Sequence, residues 1–130
     1  MKTDPDRRSL IRTRPNPEDR RDYVVALNNI RIGQLELRVL YVPDKLILDV
    51  DSLVDWVDAL AATSWPDPET AAAAVRDDIS NELVPKWQQI VLTRASHSRG
   101  GSLLPGHQVI LEDRQPRWDN RNLLDRLNFL

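Results

Sequence analysis

The histidines and one glycine-rich loop are the first places in this chain where chemistry could occur. His97 lies just before the sequence Arg99-Gly100-Gly101. An arginine followed by glycines supplies a cation and free backbone N–H groups, which suit a carboxylate or a phosphate. We predict that Arg99 and Gly100 contact an anion. His97 is a candidate general acid or base, and the alternative is an exposed loop histidine with no chemical role.

Carboxylates supply the next group of candidates. Asp49, Asp51, Asp55 and Asp58 surround the start of a predicted helix. Some of them can share a helix face and hold a metal, although acids near a helix start usually cap the helix or stay solvated. The two histidines match no common zinc spacing, and the chain has no cysteine to supplement them. We therefore expect no metal site, no disulfide and no thiol nucleophile.

Two further candidates surround the start of a second predicted helix. Asp67-Pro68 is typical of an N-cap followed by proline at the first helical position, which places Glu69 in the first turn. A glutamate there interacts favourably with the helix dipole, and its carboxylate can also bind a ligand. Trp65 precedes it in the loop, where its ring can stack on a planar ligand or anchor the loop on the helix pair.

Hydrophobic periodicity predicts the elements that position these residues. Alternating and β-branched residues over 23–41 indicate a hairpin with its turn at Gly33, and 87–92 and 108–112 indicate two more strands. An apolar helical face from Leu53 follows a cap at residue 51 or 52, and the second helix runs to Leu83. The order is strand–strand–helix–helix–strand–strand, an α+β fold. Two open sheet edges are a liability for a monomer, so we expect a homo-oligomer.

Length and composition set the wider limits. A chain of 130 residues fits one domain, which we place at residues 21–113. Residues 1–20 are predicted to be an extended or disordered arm, and residues 114–130 a charged tail that can form a docking helix. A net charge of −2 gives no electrostatic footprint for nucleic acid. No apolar run can span a bilayer and no signal sequence is visible, so we expect a cytoplasmic protein without a membrane partner.

Several short motifs resemble the QueF family, the NADPH-dependent nitrile reductases that act on 7-cyano-7-deazaguanine. The motifs occur in the family's order over about residues 16–101: Asn16-Pro17 with Arg21-Asp22-Tyr23, Tyr41-Val42-Pro43-Asp44, Ser52-Leu53 with Trp56, and Arg99-Gly100-Gly101. The resemblance implies the tunnelling fold (T-fold), in which ββααββ subunits close into a multi-subunit β-barrel with sites at subunit interfaces. It also implies that Glu69 grips the N–H edge of a deazapurine-like or pterin-like ring.

The chain departs from this family at the residues that carry the reaction. The family's catalytic cysteine lies in a segment between the first two strands, and here Asn28–Gln34 joins those strands directly. Asp49 replaces the signature glutamate, and Pro68 replaces a histidine. Asp51 and Val54 replace the two lysines that the family places at the NADPH phosphates, where an aspartate is repulsive and a valine offers no donor. We therefore expect neither nitrile reduction nor NADPH use.

Two functions remain open. The first is an enzyme of specialised metabolism that acts on a flat heterocycle at a subunit interface by cofactor-free acid–base chemistry, as a lyase, hydrolase, cyclase or isomerase. The second is a non-catalytic ligand-binding or scaffolding protein. The substrate-binding candidates are Trp65, Glu69, Arg99 and Gly100, and the catalytic candidates are Asp49 and His97. Their convergence on one pocket would favour the enzyme.

Overall fold

A computed structural model describes residues 5–129, which form an α+β protein with antiparallel sheets. The strands are β1 Thr13–Pro15, β2 Val25–Ile32, β3 Leu35–Val42, β4 Leu46–Leu48, β5 Trp87–Arg94, β6 His97–Arg99, β7 Ser102–Leu104 and β8 His107–Arg114. The helices are α1 Pro5–Arg8, α2 Leu53–Ala62, α3 Pro68–Leu83 and α4 Arg121–Asp125, and short 3₁₀ helices at Val50–Ser52 and Arg126–Phe129 adjoin α2 and α4. The order of the long elements is compatible with the predicted ββααββ arrangement.

The central sheet has the strand order β2-β3-β5-β8, and each neighbouring pair is antiparallel. Gly33 begins the two-residue turn between β2 and β3 with a φ of 66°, a conformation that glycine adopts at little cost. A bulge at Asn28 and Asn29 interrupts the β2–β3 register. Within residues 5–129, no strand pairs with the outer side of β2 or of β8, so these two strands are the open edges.

The helices α2 and α3 cover one face of this sheet and enclose the main core. Alternate side chains of a strand point to opposite faces, so every second residue of β3 and β5 faces the helices. Fully buried members of this core are Leu37, Val39, Trp56, Leu60, Val75, Ile79, Ile90 and Leu92. Burial of each large apolar side chain stabilises the fold by roughly 1.5–3 kcal/mol. This packing fixes where the two helices begin.

The helix ends agree with the sequence only in part. The predicted start of α3 is confirmed, because the Thr70 N–H donates to Asp67 Oδ1 at 2.6 Å and Pro68 is the first helical residue. The predicted end at Leu83 is also confirmed. The predicted side-chain cap of α2 is wrong. The hydroxyl of Ser52 donates to the Asp49 carbonyl at 2.7 Å, and no side chain caps the helix.

Residues 5–16 are packed on the domain through buried Arg7, Ile11 and Asn16, in contrast to the extended or disordered arm that the sequence predicts for residues 1–20, of which residues 1–4 lie outside the described range. Arg7 donates from Nε and Nη2 to the two carboxylate oxygens of Asp78 at 2.6 and 3.1 Å, and both side chains are buried. Trp56 Nε1 donates to Asp78 at 2.9 Å. Strand β1 pairs with β4, away from the central sheet. A long-range ion pair of this kind leaves no periodic trace in a sequence.

The C-terminal tail covers part of the second face of the central sheet. Trp118 Nε1 and Asn120 Nδ2 donate to Asp22 Oδ2 at 3.0 and 3.1 Å, and Lys86 Nζ lies 2.9 Å from Asp22 Oδ1. Apolar tail residues pack on a small cluster of that face: Trp118, Leu123, Leu124 and Leu127 against Leu40, Val42 and Trp87. No helix in the described range is long and apolar enough to cross a membrane.

Candidate functional site

The start of α3 brings Glu69 to a histidine that the sequence does not single out as its partner. Glu69 Oε1 lies 3.1 Å from His107 Nε2, at the first residue of β8. The Glu69 side chain is 61% exposed and that of His107 is 35% exposed, so both remain open to solvent. A carboxylate has about four lone-pair sites on its two oxygens. Glu69 can therefore bind a ligand while it holds the imidazole.

A depression of about 350 Å³ adjoins the start of α3 at Asp67 and Pro68. Its polar and aromatic walls include Trp65 and Asp67 from the loop before α3, and Arg94 from the end of β5. Pro68, the neighbour of Glu69 in sequence, also lines it, and Arg94 is the cross-strand partner of His107. We call Trp65, Glu69, Arg94 and His107, with this depression, the Glu69 site.

Trp65 anchors the loop between the helices. Its Nε1 donates to the Leu60 carbonyl at 2.9 Å, and the ring packs against the main core. The guanidinium of Arg7 lies over the ring, 5.6 Å from its centroid. The Trp65 indole N–H is therefore bonded to the Leu60 carbonyl, and the Arg7 guanidinium covers part of the ring. Stacking of the remaining ring surface on a ligand stays a prediction.

The electrostatics of the site combine two carboxylates with a cation and an imidazole. Hydrogen bonds from Thr70 lower the pKa of Asp67. Burial opposes this shift, and the nearby His107 adds to it. Asp67 is therefore ionised at neutral pH and committed to the start of α3. Arg94 has no hydrogen-bond or ion-pair partner within the part of the chain that the structure describes, and its Nε is buried without an acceptor.

The hairpin residues predicted to contact an anion lie beyond the end of the main ladder. His97 and Arg99 belong to β6, which pairs with β7, and Gly100 begins the turn with a φ of 58°. Arg99 and Gly100 are exposed. Among residues 5–129, the polar neighbour of the His97 ring is the Ala95 carbonyl, 3.4 Å from Nδ1. None of these three residues forms a hydrogen bond or an ion pair with Glu69.

Asp49 lies in a different depression. This second depression, of about 310 Å³, is lined by Asp49, Asp51 and Asp55 together with Arg12. The short loop 63–67 joins the two helices, and Trp56 of α2 contacts Asp78 of α3 far from that loop, so the helices run in roughly antiparallel directions. Asp49 precedes α2 and Glu69 begins α3, so they lie at opposite ends of the pair. Ten residues of α2 span about 15 Å, which separates the two carboxylates.

An apolar groove lies beside the open edge of β2. It measures about 400 Å³, and Leu27, Ile30, Leu53, Val54 and Val57 supply apolar walls. Its apolar walls alone would favour this groove as a ligand site. We favour the Glu69 site because it combines ionisable groups of both signs with an aromatic ring. Among residues 5–129, no three His, Asp or Glu side chains lie close enough to hold a metal ion.

Arg94 and the pairing of His107 are the features that sequence reasoning misses. Arg94 follows the predicted end of its strand, and the observed β5–β8 ladder continues to the Arg94–His107 pair. Extending the first predicted strand by two residues and the second by one would have placed these side chains opposite one another. Comparison with known proteins adds nothing to the geometry, because no family model and no curated protein matches the chain.

Proposed function

We propose that this chain is a divergent QueF-like T-fold protein that binds a flat heterocycle at the Glu69 site. The observation that carries the proposal is the solvent-open carboxylate of Glu69 in the first turn of α3, next in sequence to Pro68, which lines the same depression as Trp65 and Arg94. A carboxylate that accepts from two adjacent N–H groups of a deazapurine-like or pterin-like ring forms a charge-assisted bidentate contact. Arg94 offers donors to the acceptor side of the same molecule.

Assembly through the open edges of the sheet is part of this proposal. Half-buried apolar side chains stand on the helix-covered face of both edges: Val25, Leu27 and Ile30 on β2, and Val109 and Leu111 on β8. The two strands have eight residues each. Pairing β8 of one copy with β2 of the next would bury these side chains and remove the exposed backbone groups. The homo-oligomer is then a closed β-barrel.

Acid–base catalysis at this site is the first function. His107 and Glu69 form a titratable pair next to the proposed ligand, which suits a lyase, hydrolase, cyclase or isomerase. No thioimide can form because the chain has no cysteine. The positions that correspond to the NADPH-binding lysines are Asp51 and Val54, so the proposed chemistry uses no NADPH. Asp49 and His97 stay predictions as catalytic residues.

A non-catalytic ligand-binding or scaffolding protein is the second function. The separation of Asp49 from Glu69 favours it, since the acid–base candidates do not converge within one chain. Incubation with pterins and 7-deazaguanines distinguishes the two. A changed absorption spectrum or mass of the ligand identifies an enzyme. Recovery of unchanged ligand after saturable binding identifies a binding protein.

Calorimetry with the same ligands tests the Glu69 site. We expect Glu69→Ala to weaken binding by about tenfold or more, which corresponds to about 1.4 kcal/mol. Glu82→Ala, in the last turn of the same helix, is the matched control and should bind like the native protein. Equal binding by Glu69→Ala and the native protein would refute the role of Glu69. Light scattering that shows only a monomer would refute the barrel.

A further inference from the structure

Arg94 is a partly buried cation that the described chain leaves without a partner. Its Nε is buried and meets no acceptor, and no carboxylate between residues 5 and 129 forms an ion pair with it. It lines the depression beside Trp65 and Asp67. Its cross-strand neighbour on β8 is His107, which pairs with Glu69.

The other arginines show that this state is unusual here. Buried Arg7 pairs with Asp78, and the half-exposed Arg76 pairs with Asp77 at 3.0 Å. Exposed arginines such as Arg99 remain hydrated by the solvent. Arg8 shares a buried Nε that lacks an acceptor, but it does not line this depression. Partial burial of a guanidinium removes hydration, and without an acceptor nothing compensates that cost.

We propose that Arg94 is the anchor of an anion site, where it binds the carboxylate or phosphate oxygens of a small ligand in the depression beside Trp65. The planar guanidinium presents parallel N–H donors that match both groups. A volume of about 350 Å³ lies within the range of ligand pockets, and Ile32, Leu35 and Trp65 give it apolar walls. The ligand is therefore a small anion with a flat apolar body.

The neighbouring charges are compatible with an anion at Arg94. Asp67 is the nearest acid of the lining, and its carboxylate accepts from the Thr70 N–H at 2.6 Å. Glu69 is engaged by His107 on Oε1. Arg99, which the sequence suggests as the anion contact, lies on the β6–β7 hairpin with no recorded contact to this depression.

Nuclear magnetic resonance titration tests the site with two probes, inorganic phosphate and benzoate, each against sodium chloride at equal ionic strength. We expect saturable shifts of the Arg94 Nε–H and of the Trp65 indole N–H in the native protein. Arg94→Gln should weaken the response of Trp65 by about tenfold or more, or about 1.4 kcal/mol. Arg94→Lys keeps the charge without the fork and should lie between the two. Arg20→Gln, at an exposed arginine outside the depression, is the control and should respond like the native protein.

The outcomes separate this site from the proposed function. Anion binding is tested on the Arg94 variants with phosphate and benzoate, and heterocycle binding is tested on Glu69→Ala with pterins and 7-deazaguanines, so the two proposals can fail independently. A response to phosphate alone identifies a phosphate ligand, and a response to benzoate alone identifies a carboxylate. Shifts that equal those in sodium chloride, or that persist unchanged in Arg94→Gln and Arg94→Lys, would overturn the anion site.

Discussion

Replacement of Arg7 by methionine should destabilise the protein strongly. The Arg7 guanidinium donates twice to Asp78, at 2.6 and 3.1 Å, and the Asp78 side chain is fully buried. Methionine fills a similar volume but leaves that carboxylate with only the Trp56 N–H as a donor in this network. Removing one partner of a buried ion pair costs about 3–5 kcal/mol. A domain of this size is stable by only about 5–15 kcal/mol, so the loss is a large share of the total.

Urea denaturation at one fixed protein concentration measures the effect. With an m-value of about 1.5 kcal/mol per M, a loss of about 3 kcal/mol lowers the unfolding midpoint by about 2 M. Arg20→Met is the control, because Arg20 is exposed and should change the free energy of unfolding by less than about 0.5 kcal/mol. If the N-terminal arm were disordered, as the sequence predicts, Arg7→Met would leave the urea midpoint unchanged. Equal midpoints for Arg7→Met and the native protein would therefore refute the packing of Arg7 on Asp78.

Two further predictions concern the tail and the first hairpin. Burial opposes ionisation of Asp22, but hydrogen bonds from Lys86, Asn120 and Trp118 outweigh it and lower the pKa of this carboxyl below 3.8. The ionised Asp22 therefore stabilises the protein fully above its pKa in the unfolded chain, and this stabilisation is lost as the pH falls through its pKa in the folded protein. Thermal unfolding measured from pH 7 to pH 2 should show this loss in the native protein and a weaker loss in Asp22→Asn. Gly33→Ala should lower the free energy of unfolding by about 1 kcal/mol, because a φ of 66° strains alanine although no atom lies within 4 Å of its Cβ; an unchanged urea midpoint would contradict this.

Local signals in the sequence determine much of the observed fold. Gly33, the Asp67-Pro68 helix start and the alternation in β3 each act within a few residues, and the structure contains all of them. The packing of Arg7 on Asp78 could not be predicted, since the two residues are 71 positions apart and neither belongs to a periodic pattern. A charged N-terminal segment rich in arginine has the composition of a solvated arm. It packs on the domain because Asp78 of α3 offers a buried carboxylate to Arg7.

Only part of the candidate site could be predicted from the sequence. Glu69 and Trp65 follow from the helix start, which is local. His107 and Arg94 come together with them only through the β5–β8 ladder and its contact with α3. The alternation of apolar and polar residues is weakest at the ends of a strand, so the sequence predicts the last two strands without their terminal residues. Arg94 and His107 are among those terminal residues.

The position of Asp49 decides what chemistry the Glu69 site can perform. Because α2 and α3 are antiparallel, Asp49 lies at the other end of the helix pair from Glu69. Within residues 5–129, His107 is the titratable group that contacts Glu69, at 3.1 Å, and the length of α2 separates Asp49 from this pair. We therefore propose that proton transfer at the Glu69 site uses the imidazole of His107.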